Sequence, residues 1–554
     1  MSKRRTVAKS LLVLVACLVG ISVVGATLRR RPAIEPPRDV DSPYVSDDFQ
    51  TTLATVNSNL AKVIEATGVE TAPPADSLAI AKRATLAMVG SGMSFEEIRA
   101  LQLIPESERV RWWTSRLLED RRWSDYFAQR LSRAYVGSAN GPFLLFRRRK
   151  FNAWIAEHLA KDTGYNQLAH SMISAEGLWT DTPQVNFITA TMDEANNGRG
   201  DPIRLAGRTS RVFLAQRMDC LQCHNDFLDK LNFGTQEEPV LGEQEHFHSI
   251  AAFYAGTSAK YPFKGIAEDD EKYRFEFLGE SEAREVTPSV PFRADLLPGD
   301  GKPRKRLADW VTHPENRAFS RAAVNRVWAL MLSRPLVEPV DDIPIDATVP
   351  DVLDVLADDF VAHGYSIKRL IRLIVESDAF RRDSRADFDV TEAHENCWAV
   401  FPISQLRPEQ VAGRLFQACS LTALDSNSSI FTQLKVFGDT QDFLQRFGDK
   451  GEDDFEADSV TITQRLIMMN GNLVAERTKV DLVANAATRI ASMVRGESDA
   501  VEAIFVTVMN RTPSLEESRT FTEYLCDKRG NTRAQAVSDI YWALLNSTEF
   551  SWNH

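Results

Sequence analysis

Cysteine is scarce in this chain. Six cysteines in 554 residues, scattered along the sequence, exclude the disulfide framework that holds small secreted domains together. There is a single C-x-x-C, so no paired C-x-x-C zinc site can form; His246 and His248 stand downstream of it as further donors. The body of the chain has no basic tract, and its formal net charge is −12. Nothing here neutralises a phosphate backbone, which excludes nucleic acid as a partner. Strand-like alternation is rare, so the fold is expected to be mainly α. No repeat of fixed period marks a solenoid. No nucleophile–base or carboxylate-pair motif of a hydrolase is recognised, and the run Glu452-Asp453-Asp454 reads as a solvated loop. What remains is an ordinary globular composition, 44% hydrophobic and 26% charged, long enough for two or three domains.

The N-terminus carries an address. Lys3, Arg4, Arg5 and Lys9 precede an uncharged stretch from Ser10 to Leu28, and Arg29, Arg30 and Arg31 follow it. That length suits a membrane-spanning helix. Val24-Gly25-Ala26 also offers a small-residue cleavage site, so the segment is either a signal peptide or an anchor. Leu14-Val15-Ala16-Cys17 resembles a lipoprotein box, but apolar residues continue past Cys17. On each reading the body is exported, to the periplasm or cell envelope, and residues 10–28 are expected to hold it at the inner membrane.

Residues 29–50 are rich in Pro, Arg and Asp and read as a linker. Helical periodicity follows. Leu53, Val56, Leu60, Val63 and Ile64 share one helix face, Asp76 can cap the next helix, and Ser94 with Glu97 makes a capping box. Trp112, Trp113, Leu117 and Leu118 continue the pattern. Periodicity is lost around 266–300, the expected linker between two helical domains in tandem, 51–265 and 301–554. Beyond it, Asp351 starts a helix with Val352, Leu353, Leu356 and Phe360 inward, ending near Gly364. Ser366 caps another with Ile367, Leu370, Ile371 and Ile374 on one face, residues 426–460 read as a polar loop, and Ser514 with Glu517 opens a late helix.

Cys220-Leu221-Gln222-Cys223-His224 is the most specific run. C-x-x-C-H is the attachment pattern of a c-type haem, with two thioethers to the porphyrin and the adjacent histidine as proximal iron ligand. Two intervening residues let both sulfurs reach neighbouring edges of one macrocycle, and the next position swings the imidazole under the iron. Two other readings stand beside it: a disulfide or unmodified thiols, and part of another metal site. For a haem, His246, His248, His170 and Met172 are candidate distal ligands. Cys397, Cys419 and Cys526 are expected to be free thiols or to contribute one bridge. Asn325 and Arg326, between apolar neighbours, are expected to satisfy buried carbonyls or a carboxylate such as Asp341 or Asp342.

Several runs together carry a resemblance. Arg83-Ala84-Thr85, Arg211-Val212-Phe213-Leu214 leading into Cys220–His224, and Ala251-Ala252-Phe253-Tyr254 lie in the first half. Leu307-Ala308-Asp309-Trp310, Pro314-Glu315-Asn316, Asn325-Arg326-Val327-Trp328, Leu336 to Asp342, and Trp542 to Ser547 follow in the second. In this order they resemble the planctomycete cytochrome-like proteins, which pair the domains of unknown function 1549 and 1553. The resemblance implies a large exported protein named for its C-x-x-C-H run, and it implies no settled role. The family usually continues past the motif histidine with a second histidine and a nearby tryptophan. Here those places hold Asp226 and Leu231, which removes an additional metal ligand beside His224.

The leading expectation is an exported envelope protein with one covalent haem c on Cys220, Cys223 and His224, acting in electron transfer or redox sensing toward a redox or envelope partner. It is expected to be a carrier or binding protein and not an enzyme. The alternatives are a haem-free envelope scaffold with a Cys220–Cys223 disulfide, and an enzyme acting on envelope polysaccharide.

Overall fold

The computed structural model describes residues 40, 42–138, 146–192, 198–228, 230–235, 237–260, 265–345, 349–448, 462–479 and 485–554. The chain is mainly helical, as expected. Among the described residues, strands form only three two-stranded antiparallel pairs: Thr257–Lys260 with Gly265–Glu268, Arg274–Phe275 with Arg284–Glu285, and Ser404–Gln405 with Trp552–Asn553. No helix among the described residues is long and apolar enough to cross a membrane. The expected membrane segment 10–28 and the acidic run at 452–454 lie outside the described residues.

Local chemistry sets the helix ends. Asp76 accepts from the backbone N–H groups of Leu78 and Ala79 and opens Ser77–Val89. Ser94 and Glu97 cap Phe95–Gln102 reciprocally, and Ser514 with Glu517 does the same for Leu515–Leu525. Ser366 accepts from Arg369 N–H, and Ile367, Leu370, Ile371 and Ile374 are buried beyond it. The helix Asp351–Ala362 buries Val352, Leu353, Leu356 and Phe360, and the chain turns away through Gly364 at φ +64°.

Three stretches differ from the sequence reading. Residues 42–50, read as the end of a linker, hold the helix Ser42–Val45 and the start of Asp47–Thr67, and bury Tyr44 and Phe49, whose rings meet edge to face. Val63 is exposed, because the last turn of Asp47–Thr67 leaves the main core and rests through Ile64 on a small cluster with Cys397 and Ala399. The expected polar loop after 426 holds a helix, Ile430–Phe447. Ser429 caps it, and Phe443 and Phe447, one turn apart, stack and bury against a second core.

One hydrophobic core runs from Tyr44 to Phe401 and takes in Val506, with Ile266 and Phe292 from the 266–300 segment and the helices Pro303–Val311, Arg317–Leu332, Asp351–Ala362 and Ile367–Glu376 from beyond it. A second core spans Leu406 to Phe550 and receives Leu86 from the first half. Buried arginines tie distant segments together. Arg83 donates to the carbonyls of Arg382 (2.6 Å) and Phe380 and lies 3.9 Å from the Phe401 ring centre. Burial lowers Arg83 to about 10, still charged at neutral pH. Arg304, with no exposed surface, donates to Ile173 and Ala175 and pairs with Glu268 at 2.7 Å. Arg414 holds the carbonyls of Glu549 and Phe550. Cys397 and Cys419 are buried, Cys526 is exposed, and all three are free.

Candidate functional site

The C-x-x-C-H run follows directly on a helix. Asp201 caps Pro202–Leu214, and Ala215, left-handed at φ 50°, turns the chain out of it. The next residues are held from the second half of the sequence. Ile343 N–H donates to the Ala215 carbonyl at 2.8 Å, and the Gln216 side-chain amide donates back to Ile343. Arg217 meets the buried Asp341 carboxylate at 2.7 Å, and Arg211 reaches both Asp341 and Asp219. Met218 and Leu221 are buried as apolar anchors. Between these anchors the motif makes one tight helical turn, in which the Cys220 carbonyl accepts from Cys223 N–H (3.2 Å) and His224 N–H (3.3 Å). Cys220 and Cys223 are both exposed and free.

His224 has a defined tautomer. Its Nδ1 lies 2.7 Å from the Asn225 carbonyl. A carbonyl only accepts, so Nδ1 carries the proton and Nε2 keeps its lone pair. No described residue hydrogen-bonds to that Nε2. The ring stacks on Phe227 at 5.4 Å.

The helix Gln244–Ala252 braces the turn from behind. Gln244 N–H donates to Asn225 Oδ1 (2.9 Å), and its side-chain amide to the Gln222 carbonyl (3.4 Å). His248 Nε2 lies 3.2 Å from the same carbonyl and therefore donates, leaving Nδ1 to accept from the Tyr273 hydroxyl at 2.9 Å. The His248 ring stacks on Phe275 with centres 3.5 Å apart.

Residues 55–238 match the model of PSCyt2, a protein of unknown function (DUF1549), and residues 303–525 that of PSD1, a protein of unknown function (DUF1553). The chain belongs to the family that carries these two domains in tandem. No curated protein and no solved structure matches it. In this member of the tandem 1549/1553 family, Asp226 follows the motif histidine by two residues. Its carboxylate accepts from Leu228 N–H (3.0 Å) and Leu231 N–H (2.6 Å), so it folds the loop after the motif. Leu231 is itself buried in the first core.

Two of the family-like runs of the second half, Asn325–Trp328 and Leu336–Asp342, serve the same turn. Asn325, fully buried, donates to the carbonyls of Val337 (2.8 Å) and Val340 and accepts from Leu336 N–H (2.8 Å) and Val337 N–H (3.0 Å). It thus fixes the loop that delivers Asp341, as expected of a residue satisfying buried backbone. Asp341 itself is held by Arg211, on the helix Pro202–Leu214, and by Arg217, between that helix and the motif.

Of the four candidate distal ligands, three have no ring nitrogen or sulfur to offer at the exposed turn. His248 uses both nitrogens within the site. His170 gives Nε2 to Asp309 (2.9 Å) and Nδ1 to Ser174 (3.2 Å). Met172 is fully buried in the first core. His246 accepts Glu243 N–H at Nδ1 and keeps Nε2 without a partner among the described residues.

Loss of solvent raises the Cys220 thiol above its ordinary value, and the Asp226 carboxylate adds to this. That is the opposite of the electropositive setting of a reactive thiolate. A second cluster was not visible in the sequence: donor atoms of Asp48, Asp359 and His363 lie within 4.8 Å of one another. Arg369 bridges the two carboxylates at 2.6 and 2.7 Å, so a guanidinium already supplies the cation and the group is an ion-pair network.

Burial lowers His248 below its ordinary value of 6.5. A histidine kept neutral by the fold contributes stability that is complete above the unfolded pKa and is lost as pH falls below about 6.5. His248→Gln should therefore flatten the fall in melting temperature between pH 7.5 and pH 5.5 relative to wild type. Equal slopes for the two proteins would contradict the assigned hydrogen bonds.

Proposed function

We propose that this is an exported envelope protein that carries one covalent c-type haem on the Cys220–His224 turn and acts in electron transfer or redox sensing. The observation that carries the reading is His224: its Nδ1–H is committed to a carbonyl of its own loop and its Nε2 lone pair is free, beside two free exposed thiols. A metal-ligating histidine typically has its other ring nitrogen tied in this way. When bound, the haem supplies one-electron exchange between ferric and ferrous iron.

The rest is work for the chain itself. Cys220 and Cys223 would hold the porphyrin edge and His224 Nε2 the iron. Gln244 and His248 hold the Gln222 carbonyl between the two thiols, and Asp341 and Arg217 hold the approach to them. His246 is the distal candidate we retain. Lys3 to Arg31 supports export, with residues 10–28 as signal or anchor.

The test is expression with export in a host that matures c-type haem, followed by a denaturing gel stained for haem peroxidase activity. Wild type should keep a stained band, and Cys220→Ala/Cys223→Ala should lose it completely while still accumulating. An unstained wild-type band, beside a stained control cytochrome from the same host, contradicts the proposal.

A further inference from the structure

We propose that the face around the Cys220–His224 turn is a docking surface for a basic, lysine-rich protein. Five large apolar side chains are exposed there: Phe227 at 73%, Leu228 at 71%, Leu278 at 70%, Leu241 at 44% and Val240 at 42%. They come from three segments joined by hydrogen bonds into one surface. Asp226 N–H donates to the Gly242 carbonyl (2.8 Å), and Leu278 N–H to Gln244 Oε1 (3.0 Å), whose own N–H meets Asn225. Phe233 N–H donates to the Val240 carbonyl, and Asn232 Oδ1 accepts from both Gly234 N–H and Val240 N–H, so the patch is held in shape before anything binds.

Exposed apolar groups rimmed by polar residues mark interaction sites. The rim identifies the partner's charge. The described residues of 225–246 and 273–286 contain nine Asp and Glu against three Lys and Arg, a net −6 in 34 residues where the whole chain carries −12. Arg284, one of the three cations, is itself paired with Glu245 and Glu280. Such a face repels anionic lipid and acidic proteins and steers a cationic surface toward the apolar centre. The purpose of the contact rests on the redox reading above; the contact itself needs no haem.

The test measures calorimetric binding of the full chain to a lysine-rich cytochrome c, with an acidic flavodoxin as the opposite probe. Affinity for the basic probe should fall about tenfold between ~20 and ~150 mM salt. Glu237→Lys/Glu238→Lys/Glu282→Lys should weaken it about tenfold at low salt. Glu516→Lys/Glu523→Lys, on the exposed surface of Leu515–Leu525, should leave it unchanged. Phe227→Ser/Leu278→Ser should weaken it at both salt concentrations. Wild type produced without haem maturation should keep its preference for the basic probe over the acidic one, which separates the failure of docking from the failure of haem attachment. Equal weakening by the two charge reversals, or binding of the acidic probe as tight as the basic one, would overturn the docking surface.

Discussion

Replacing Asn325 with alanine is expected to cost about 3–5 kcal/mol and to loosen the C-x-x-C-H turn, although the two are more than 100 residues apart in sequence. The figure follows from the four hydrogen bonds of one buried amide, because each abandoned buried donor or acceptor costs about 1–3 kcal/mol and the losses partly relax. Leu336 and Val337 lose the acceptor of their N–H groups, and Val337 and Val340 lose the donor to their carbonyls. The same loop presents Asp341 to Arg217 and Ile343 to Ala215, so its release should reach Cys220 through the backbone. Denaturant unfolding gives the energy, and amide hydrogen exchange at Cys223 and His224 gives the coupling. A loss below about 1 kcal/mol, or unchanged exchange at the motif, would contradict this account of the second half.

Glu268→Ala is the other large effect, expected at about 3–5 kcal/mol, the range for breaking a buried ion pair from one side. Arg304 has no exposed surface, and Glu268 faces it at 2.7 Å with 9% of its side chain exposed. Burial pushes the Glu268 carboxyl up and the Arg304 guanidinium down, so desolvation opposes the pair and removing one partner leaves an uncompensated charge. Arg304 also serves the carbonyls of Ile173 and Ala175, which prevents it from simply turning toward solvent. The strand Gly265–Glu268 and the helix Pro303–Val311 should therefore separate early in thermal unfolding of the variant. A melting temperature unchanged from wild type would show that the pair is expendable.

Local chemistry was legible in the sequence, and long-range chemistry was not. Asp76, Ser94 with Glu97, Ser366 and Ser514 with Glu517 announce helix starts through bonds spanning two or three residues, and each is formed. The C-x-x-C-H run stands out in the sequence because its spacing is itself the signal, whereas its exposure at a tight turn is seen only in the fold. By contrast, Arg217 with Asp341, and Arg83 with the carbonyl of Arg382, join positions far apart in sequence and leave no periodic trace. His248 illustrates the limit in another way. Its residue type and position suggested a ligand, but only the Tyr273 hydroxyl and the Gln222 carbonyl, arriving from two other segments, assign it to bracing. The helix Ile430–Phe447 was hidden because its polar residues outnumber the Phe443–Phe447 pair that seats it.

The central claim is that His224 and the two thiols are an iron-porphyrin site. The direct measurement is a reduced-minus-oxidised visible spectrum, with a pyridine haemochrome, of the full-length protein exported from a host that matures c-type haem. The account predicts a c-type band that survives denaturation, in a ratio of about one haem per chain. A protein that emerges colourless from a host in which a control cytochrome is fully loaded would contradict it.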